Sequence, residues 1–202
     1  MARRSVHTAE ELKKLILAAS TNLIETAGLT GLSAREIARR IDYSPGTLYN
    51  VFENLDDLIL TIEGELLDRL AAELAEVPTA GDPRQRVHRL AERYLKFTHQ
   101  NPRLWNLLFE HHLPEGREVP AWYRQKIEAL MGQVEDALAP LMVGADPRTV
   151  QRSARALWAG VHGITSLSTA DKLSNISTDD AGALLDDLLK TYLAGLSTRD
   201  SK

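Results

Sequence analysis

Apolar residues recur every three or four positions along most of the chain, the spacing that places them on one face of an α-helix. The first such stretch opens on the capping box Thr8–Glu11 and ends at Gly28, a residue typical of helix C-caps. A second capping box, Ser33–Glu36, opens a helix of about two turns. No stretch alternates with period two for long enough to predict a strand. The pattern therefore predicts an all-α fold.

Most of the remaining helix starts are marked by a short polar residue followed by proline. Proline is favoured at the first helical position because its missing N–H has no intrahelical partner there. The pair occurs at Ser44, Asp82, Asn101 and Asp146, and Ser177–Asp180 is a further capped start. Together these signals predict about nine helices, over residues 9–27, 34–41, 45–51, 55–76, 83–99, 102–111, 120–139, 147–171 and 178–196.

Two of the predicted helices are short and close together. The helices over 34–41 and 45–51 flank a turn at residues 42–44, which is the arrangement of a helix-turn-helix. In DNA-binding proteins of this kind, the N-terminal part of the second helix enters the major groove. The residues predicted to face inward, onto the first helix, are Ile37, Ala38, Ile41, Leu48 and Phe52.

The outward positions of the second short helix carry hydrogen-bonding groups and no charge. Thr47, Tyr49 and Asn50 suit phosphate oxygens and base edges. Gly46 would let the backbone approach a phosphate at the helix N-terminus. The nearby positive charges lie on a free N-terminal arm and on the preceding helix: Arg3, Arg4, Arg35, Arg39 and Arg40. Capped short helices also occur in proteins that bind no DNA, so the pattern leaves that alternative open.

The charge of the chain limits how DNA could be contacted. The 202 residues are 44% hydrophobic and 26% charged, as in ordinary globular proteins, and the net charge is −4. Acidic residues outnumber basic ones even over residues 1–60. Because phosphate neutralisation drives nucleic-acid binding, any contact with DNA must be local.

Several classes of protein are disfavoured by what the sequence lacks. It has no cysteine for disulfides or thiolate metal sites, no signal-peptide pattern, and no apolar run of the ~20 residues that a membrane span requires. The motifs H-E-x-x-H and G-x-S-x-G and a glycine-rich phosphate loop are absent, so we predict no catalytic residues and no cofactor. The adjacent residues Glu110–His112 point apart on a helix, so we predict no metal site. The sequence indicates a cytoplasmic protein without a membrane partner.

Residues 28–59, GLTGLSAREIARRIDYSPGTLYNVFENLDDLI, resemble the N-terminal domain of the tetracycline-repressor (TetR) family of bacterial transcription regulators. The similarity lies in the G-x-x-x-L-S-x-R-x-I-A frame, the S-x-G-T-L-Y start and the aromatic Phe52. The resemblance implies that operator bases or phosphates are contacted by Arg35, Thr47, Tyr49 and Asn50. It also implies that backbone and hydroxyl groups meet phosphate at Ser33, Ser44 and Gly46.

The sequence departs from this family just after the second short helix. Many members carry histidine where this chain has Val51, and a lysine that meets a phosphate where it has Leu55. Glu53, Asp56 and Asp57 make the same neighbourhood acidic. We therefore expect fewer phosphate contacts and a shallower salt dependence of DNA binding than a basic relative would show.

The C-terminal half has two helices that predict dimerisation. ALWAGVHGITSL, residues 156–167, resembles the W-x-x-x-H-G segment of a TetR subgroup named for those letters. The uncharged run 156–170 must be covered on most sides, and the last helix has an apolar stripe wider than one neighbour requires. A four-helix bundle with a second copy would cover both, and twofold symmetry suits a palindromic site. The candidate interface residues are Ala156, Gly160, Gly163, Leu167, Leu184, Leu185, Leu188 and Tyr192.

All three tryptophans lie after residue 90, which favours an apolar inducer pocket in the C-terminal half. Aromatic residues at helical spacing are also common in ordinary cores, so that alternative stays open. The candidate pocket residues are Tyr94, Phe97, Trp105, Phe109, Trp122, Trp158 and His162.

The sequence as a whole predicts a homodimeric, ligand-responsive DNA-binding regulator. Residues 1–54 would form the helix-turn-helix domain, and residues 55–202 the helical ligand-binding and dimerisation domain. We expect a repressor that a small molecule of unknown class releases from a palindromic operator in double-stranded DNA. The alternative is a dimeric helical small-molecule-binding or protein-interaction module that does not bind DNA.

Overall fold

The computed structural model describes residues 7–197, and within that range every regular element is a helix. The all-α prediction is therefore confirmed, while Arg3 and Arg4 lie outside the described residues. The α-helices are α1 Ala9–Ala27, α2 Ala34–Ile41, α3 Leu55–Ala75, α4 Pro83–Gln100, α5 Pro102–Glu110, α6 Ala121–Leu138, α7 Pro147–Thr169 and α8 Ala181–Ser197. Short 3₁₀ helices cover Leu29–Gly31, Pro45–Asn50, Ala139–Leu141 and Leu173–Asn175. No helix in the described range is long and apolar enough to cross a membrane.

Most helix starts use the caps predicted from the sequence. The Thr8 hydroxyl accepts a hydrogen bond from the Glu11 N–H, and the Glu11 carboxylate accepts one from the Thr8 N–H at 2.7 Å. This reciprocal pair is a complete capping box. Asp82 and Asp146 accept hydrogen bonds from backbone N–H groups in the first turns of α4 and α7.

Two predicted caps act differently from the expectation. Helix α8 begins at Ala181 because the Asp180 carboxylate, and not the Ser177 hydroxyl, accepts from the backbone N–H three residues on, at 2.8 Å. The Asn101 side chain closes the end of α4: its amide donates to the Phe97 carbonyl at 2.8 Å, and its oxygen accepts from Arg69 at 2.7 Å.

The second short helix, Pro45–Asn50, is a 3₁₀ helix, whereas the spacing alone predicted a helix without distinguishing its type. Its end is closed by a hydrogen bond from the Val51 N–H to the Leu48 carbonyl at 3.1 Å. The Ser44 hydroxyl does not cap the backbone but pairs with the Thr47 hydroxyl at 2.9 Å. A 3₁₀ helix is narrower than an α-helix and brings side chains three apart into line.

The chain divides into two compact units. The first comprises Met1–Leu66 and Arg103–Tyr123, and the second comprises Leu67–Pro102 and Arg124–Lys202. Residues 103–123, which contain almost all of α5, thus fold with the helix-turn-helix although they follow it by about 50 positions in sequence. The functional boundary predicted at residue 54 stays a prediction.

The core of the first unit lies where α2 packs on both α1 and Pro45–Asn50. Of the residues predicted to face inward, Ile41 is half-buried and the others are buried. The largest fully buried side chains contributed by α1 and by the start of α3 are Ile16, Leu23, Ile24 and Leu58. This packing fixes the orientation of the second short helix on α2.

The second unit is built on the mutual packing of α4, α7 and α8. A Cβ placed on Gly160 of α7 would lie 3.0 Å from Leu188 Cδ2 of α8, so the absence of a side chain lets these helices approach closely. One further contact between them is the hydrogen bond that the Tyr192 hydroxyl donates to the Ser153 carbonyl at 2.8 Å. Leu157 and Leu189 are buried in this core.

Substitution of two glycines of the first unit by alanine should affect stability differently. A Cβ on Gly31 would lie 2.4 Å from Ala27 Cβ, whereas one on Gly46 would meet nothing within 4 Å. We expect Gly31→Ala to lower the free energy of unfolding by about 1–3 kcal/mol, the usual range for overpacking. Gly46→Ala should leave it unchanged. Urea denaturation of the two variants measures this, and an equal loss in both would contradict the packing described.

Candidate functional site

The outward face of Pro45–Asn50 is a polar surface that the fold leaves available. Tyr49 is 53% exposed, Asn50 is exposed, and neither side chain has a hydrogen-bond partner among the described residues. Thr47 is half-buried and Gly46 is exposed with open space above its Cα. We call Gly46, Thr47, Tyr49 and Asn50 the recognition surface. It offers donors and acceptors of the kind that read base edges.

Two of the three arginines of α2 are already engaged within the unit. Arg39 forms a bidentate ion pair with Glu36, at 2.9 Å from Nε and 2.6 Å from a terminal nitrogen. This pairing holds the pKa of the Glu36 carboxyl below its usual value. Arg40 donates to the Asn22 side chain and lies 3.6 Å from Glu36. Arg35 is exposed and, within the described range, forms no ion pair.

The serines that the resemblance places at phosphates also have partners in the protein. The Ser33 hydroxyl accepts from the Glu36 N–H at 3.2 Å and caps α2. The Ser44 hydroxyl pairs with Thr47, as described above. Both serines are exposed, so each hydroxyl keeps a side open to solvent. Their roles at phosphate stay predictions.

A contact that the sequence did not indicate joins the chain before α1 to the turn of the helix-turn-helix. His7 Nδ1 lies 2.7 Å from the Tyr43 hydroxyl, and the two rings are 6.0 Å apart. The residues are 36 positions apart and form no recognisable motif, so no sequence signal could have paired them. The contact places the start of the described chain beside the turn.

In the second unit, three of the predicted pocket residues form one cluster. The Tyr94 hydroxyl is 2.8 Å from His162 Nδ1, and the His162 ring stacks on Trp158 with centroids 5.1 Å apart and planes 6° from parallel. Burial lowers the pKa of His162 below its usual value of 6.5, so the imidazole is neutral at pH 7. A neutral imidazole provides one donor and one acceptor in an otherwise apolar setting.

The other predicted pocket residues are elsewhere. Phe97 is buried in the second unit under the Arg69 guanidinium, whose carbon lies 5.8 Å from the ring centre. Trp105, Phe109 and Trp122 belong to the first unit. Trp105 is buried and lies 5.9 Å from the Phe109 ring, and Phe109 and Trp122 are partly exposed. The aromatic set thus divides between two units.

The candidate dimer residues differ in how much surface they leave open. Leu185 is buried within its own unit, and Gly160, Leu188 and Tyr192 contact the neighbouring helix of the same chain. Those still partly or fully exposed on α7 and α8 include Ala156, Gly163, Leu167 and Leu184. A Cβ on Gly163 would meet nothing within 4 Å.

Two family models match the chain. Residues 16–62 match the model described as bacterial regulatory proteins of the tetR family. Residues 87–192 match the model described as the tetracyclin repressor-like C-terminal domain, which covers more than half of the chain. No curated protein matches by sequence. Membership of the W-x-x-x-H-G subgroup stays a prediction.

Solved structures share the fold at low sequence identity. A protein of unknown function from Rhodococcus sp. RHA1 has a TM-score of 0.75 and 22% identity, covering 98% of this chain and 100% of that one. Thermus thermophilus FadR, a TetR-family repressor solved with lauroyl-CoA, has a TM-score of 0.66 and 22% identity, covering 91% and 94%. Bacillus subtilis FadR, solved with stearoyl-CoA, has a TM-score of 0.63 and 16% identity, covering 90% and 98%.

The neutral state of His162 predicts a loss of stability in acid. Its pKa in the folded chain lies below the value of 6.5, so the unfolded chain binds more protons between the two values. The stability from this group is full above pH 6.5 and is lost as the pH falls through the lowered pKa. His162→Gln should therefore show a smaller loss of the free energy of unfolding between pH 7 and pH 5. The control is His112→Gln, which changes an exposed histidine and should follow the wild type. Equal pH profiles for all three proteins would contradict the prediction.

Proposed function

The chain belongs to the tetracycline-repressor family of bacterial regulators, and we propose that it is a repressor that leaves a palindromic operator when a small molecule binds. The observation that carries this proposal is the recognition surface. Its exposed side chains have hydrogen-bonding capacity that the fold does not use. The same helix-turn-helix carries Arg35, which forms no ion pair with any described residue. The family and the fold are those of transcriptional regulators.

The contacts with DNA divide by chemistry. Tyr49 and Asn50 would hydrogen-bond base edges or phosphates, while Gly46 lets the backbone come close. Arg35 supplies the charge, since Arg39 is already balanced by Glu36. With so few unbalanced cations, we expect a shallow dependence of affinity on salt concentration.

Dimerisation would bring two recognition surfaces onto one operator. We place the contact on the exposed positions of α7 and α8, where small residues and leucines leave an apolar face open. Two identical chains related by a twofold axis match a palindrome whose half-sites are about 34–36 Å apart. Dimers are typical of the family.

The inducer would contact the cluster of Tyr94, Trp158 and His162. This cluster combines a stacked aromatic pair with a hydrogen-bonding imidazole, a mixture common in small-molecule sites. Fatty acyl-CoA thioesters are the first compounds to test, because two structures of the same fold were solved with them. The inducer changes operator occupancy only as far as its affinities for the two conformations differ.

The second candidate function is a ligand-binding or protein-interaction module without DNA binding. It is favoured by the pairing of Arg39 and Arg40 within the unit, which leaves little free positive charge on α2. A test of DNA binding separates the two functions.

Substitutions on the recognition surface and at Arg35 should weaken operator binding without affecting the fold. We expect Tyr49→Ala and Arg35→Ala each to raise the Kd for the operator by on the order of tenfold, because each removes one contact. Sites selected from genomic fragments supply the operator, and fluorescence anisotropy measures the Kd. Arg148→Ala, which removes an exposed arginine of α7, is the matched control and should bind as the wild type.

The oligomeric state of each variant is measured by sedimentation. If Arg35→Ala or Tyr49→Ala dissociates the dimer, these residues are structural and the assignment of the recognition surface is wrong. If no genomic fragment binds the wild-type protein in a salt-sensitive, sequence-specific way, the second candidate function is the correct one.

The ligand cluster can be tested by comparing two tryptophans. Trp158→Ala should reduce the rise in melting temperature that a binding acyl-CoA produces, because the stacked partner of His162 is lost. Trp122→Ala, the same change at a partly exposed tryptophan of the first unit, should retain that rise. The opposite result would assign the ligand to the aromatic residues of the first unit.

A further inference from the structure

A buried carboxylate, Glu63 of α3, is the centre of a charged cluster in the first unit. Its side chain is 3% exposed, and its Oε1 lies 3.1 Å from Nδ1 of His111, whose side chain is 6% exposed. The other imidazole nitrogen, Nε2, lies 3.2 Å from Oδ1 of Asp56. The Tyr123 side chain lies beside Glu63. We call Asp56, Glu63, His111 and Tyr123 the His111 clasp.

The geometry of the clasp requires a protonated histidine. A neutral imidazole donates from one nitrogen only, so one of the two carboxylates would face a lone pair. An imidazolium donates to both. The hydrogen bond to Glu63 and then that to Asp56 accordingly raise the pKa of His111, against the opposing effect of burial. Burial and the Glu63 carboxylate raise the pKa of Tyr123, which stays a neutral donor.

The clasp joins two helices that are far apart in sequence. Asp56 and Glu63 are seven residues apart, which places them on one face of α3 about two turns from each other. His111 directly follows α5, so its contacts with Asp56 and Glu63 connect the end of α5 to α3. At the other end of α5, Arg103 donates to the Glu25 carbonyl at 3.1 Å and to the next carbonyl of α1.

The start of α3 is in turn fixed to the segment that follows the recognition surface. Asn54 accepts from the Asp57 N–H at 2.9 Å, and the Asp57 carboxylate accepts from the Glu53 N–H at 3.0 Å. Phe52 is buried in the core of the unit. Only residues 51–54 separate the recognition surface from α3. A shift of the first turn of α3 must therefore displace either these four residues or the recognition surface itself.

We propose that the His111 clasp positions the recognition surface for its operator, and that loss of the His111 proton releases the start of α3 and weakens operator binding. The proposal rests on the DNA-binding function proposed above and adds a residue that controls it without touching DNA. Deprotonation would set a lone pair against one of the two carboxylates and leave the buried Glu63 without its cationic partner.

The groups that face His111 are all accounted for in the described range. Helix α3 contributes Asp56 and Glu63, which contact the His111 ring. Helix α6 contributes Tyr123, which lies beside Glu63. On the loop after α5, Arg117 lies 3.8 Å from the exposed Glu53. The two carboxylates lie at opposite nitrogens of the ring, and no group of acidic and histidine residues in the described range is arranged to hold a metal ion.

The first test is the pH profile of operator affinity at constant ionic strength, from pH 6 to pH 9. For the wild type we expect the Kd to rise about tenfold as the pH passes the raised pKa of His111. His111→Gln should bind weakly at every pH and show no such rise. His112→Gln, the same change at the exposed neighbour, should follow the wild type. A His111→Gln protein that retains the wild-type profile overturns the proposal.

A second variant covers the case in which His111→Gln does not fold. Asp56→Asn removes one partner and leaves the pair with Glu63 intact, so the pKa of His111 should fall. The rise in Kd should then occur at a lower pH than in the wild type. An unchanged midpoint in Asp56→Asn overturns the proposal.

Hydrogen exchange tests the clasp without DNA. In the wild type, the Glu53 and Asp57 N–H groups should exchange faster, relative to their intrinsic rates, once the pH exceeds the pKa of His111. His112→Gln should show the same change, and Asp56→Asn should show it at lower pH. If the protein binds no DNA, the function proposed above fails, and unchanged protection of these two amides overturns the clasp separately.

Discussion

The fold of the first unit depends on a partner for the buried Glu63 carboxylate, because an uncompensated charge in a protein interior costs several kcal/mol. Among the described residues up to Leu66, none supplies a cation to Glu63. Its partner His111 and the neighbouring Tyr123 come from the segment 103–123, which therefore folds with α3 in the first unit. This requirement explains why the helix-turn-helix unit is discontinuous in sequence. It also means that α5 is held by charge at both ends, since Arg103 meets the C-terminal carbonyls of α1.

The same requirement accounts for the acidic stretch that distinguishes this chain from many of its relatives. From the sequence alone, the negative charges of Glu53, Asp56 and Asp57 indicate only a weaker affinity for DNA. In the structure, Asp57 fixes the backbone before α3, and Asp56 completes the bonding of His111. Leu55, where relatives carry a phosphate-binding lysine, is half-buried. This region thus makes contacts inside the unit with the acidic residues that the sequence alone would assign to weaker DNA binding.

How much could be predicted from the sequence depends on how far apart along the chain the interacting residues are. Caps act over three or four residues, so Thr8, Asp82 and Asp146 marked their helices correctly, and the confirmed fold class followed from them. The pairing of Glu36 with Arg39 is also local and could have been predicted from its spacing. His111 and Glu63 are 48 positions apart, and neither residue belongs to a motif, so only the tertiary structure joins them. The predicted pocket residues divide between the two units for a related reason, because composition does not tell which unit a side chain joins.

The two half-buried histidines show how one residue type acquires opposite properties from its neighbours. His162 lies against an aromatic ring and a hydroxyl, and burial lowers its pKa. His111 is equally enclosed, but carboxylates at both nitrogens raise its pKa instead. The first stabilises the folded chain above pH 6.5 and the second below its raised pKa, so their contributions have opposite slopes with pH. A neutral imidazole suits reversible contact with a ligand, whereas a charged one suits the holding of helices. The opposite charge states of the two histidines thus follow from the neighbours that each unit supplies.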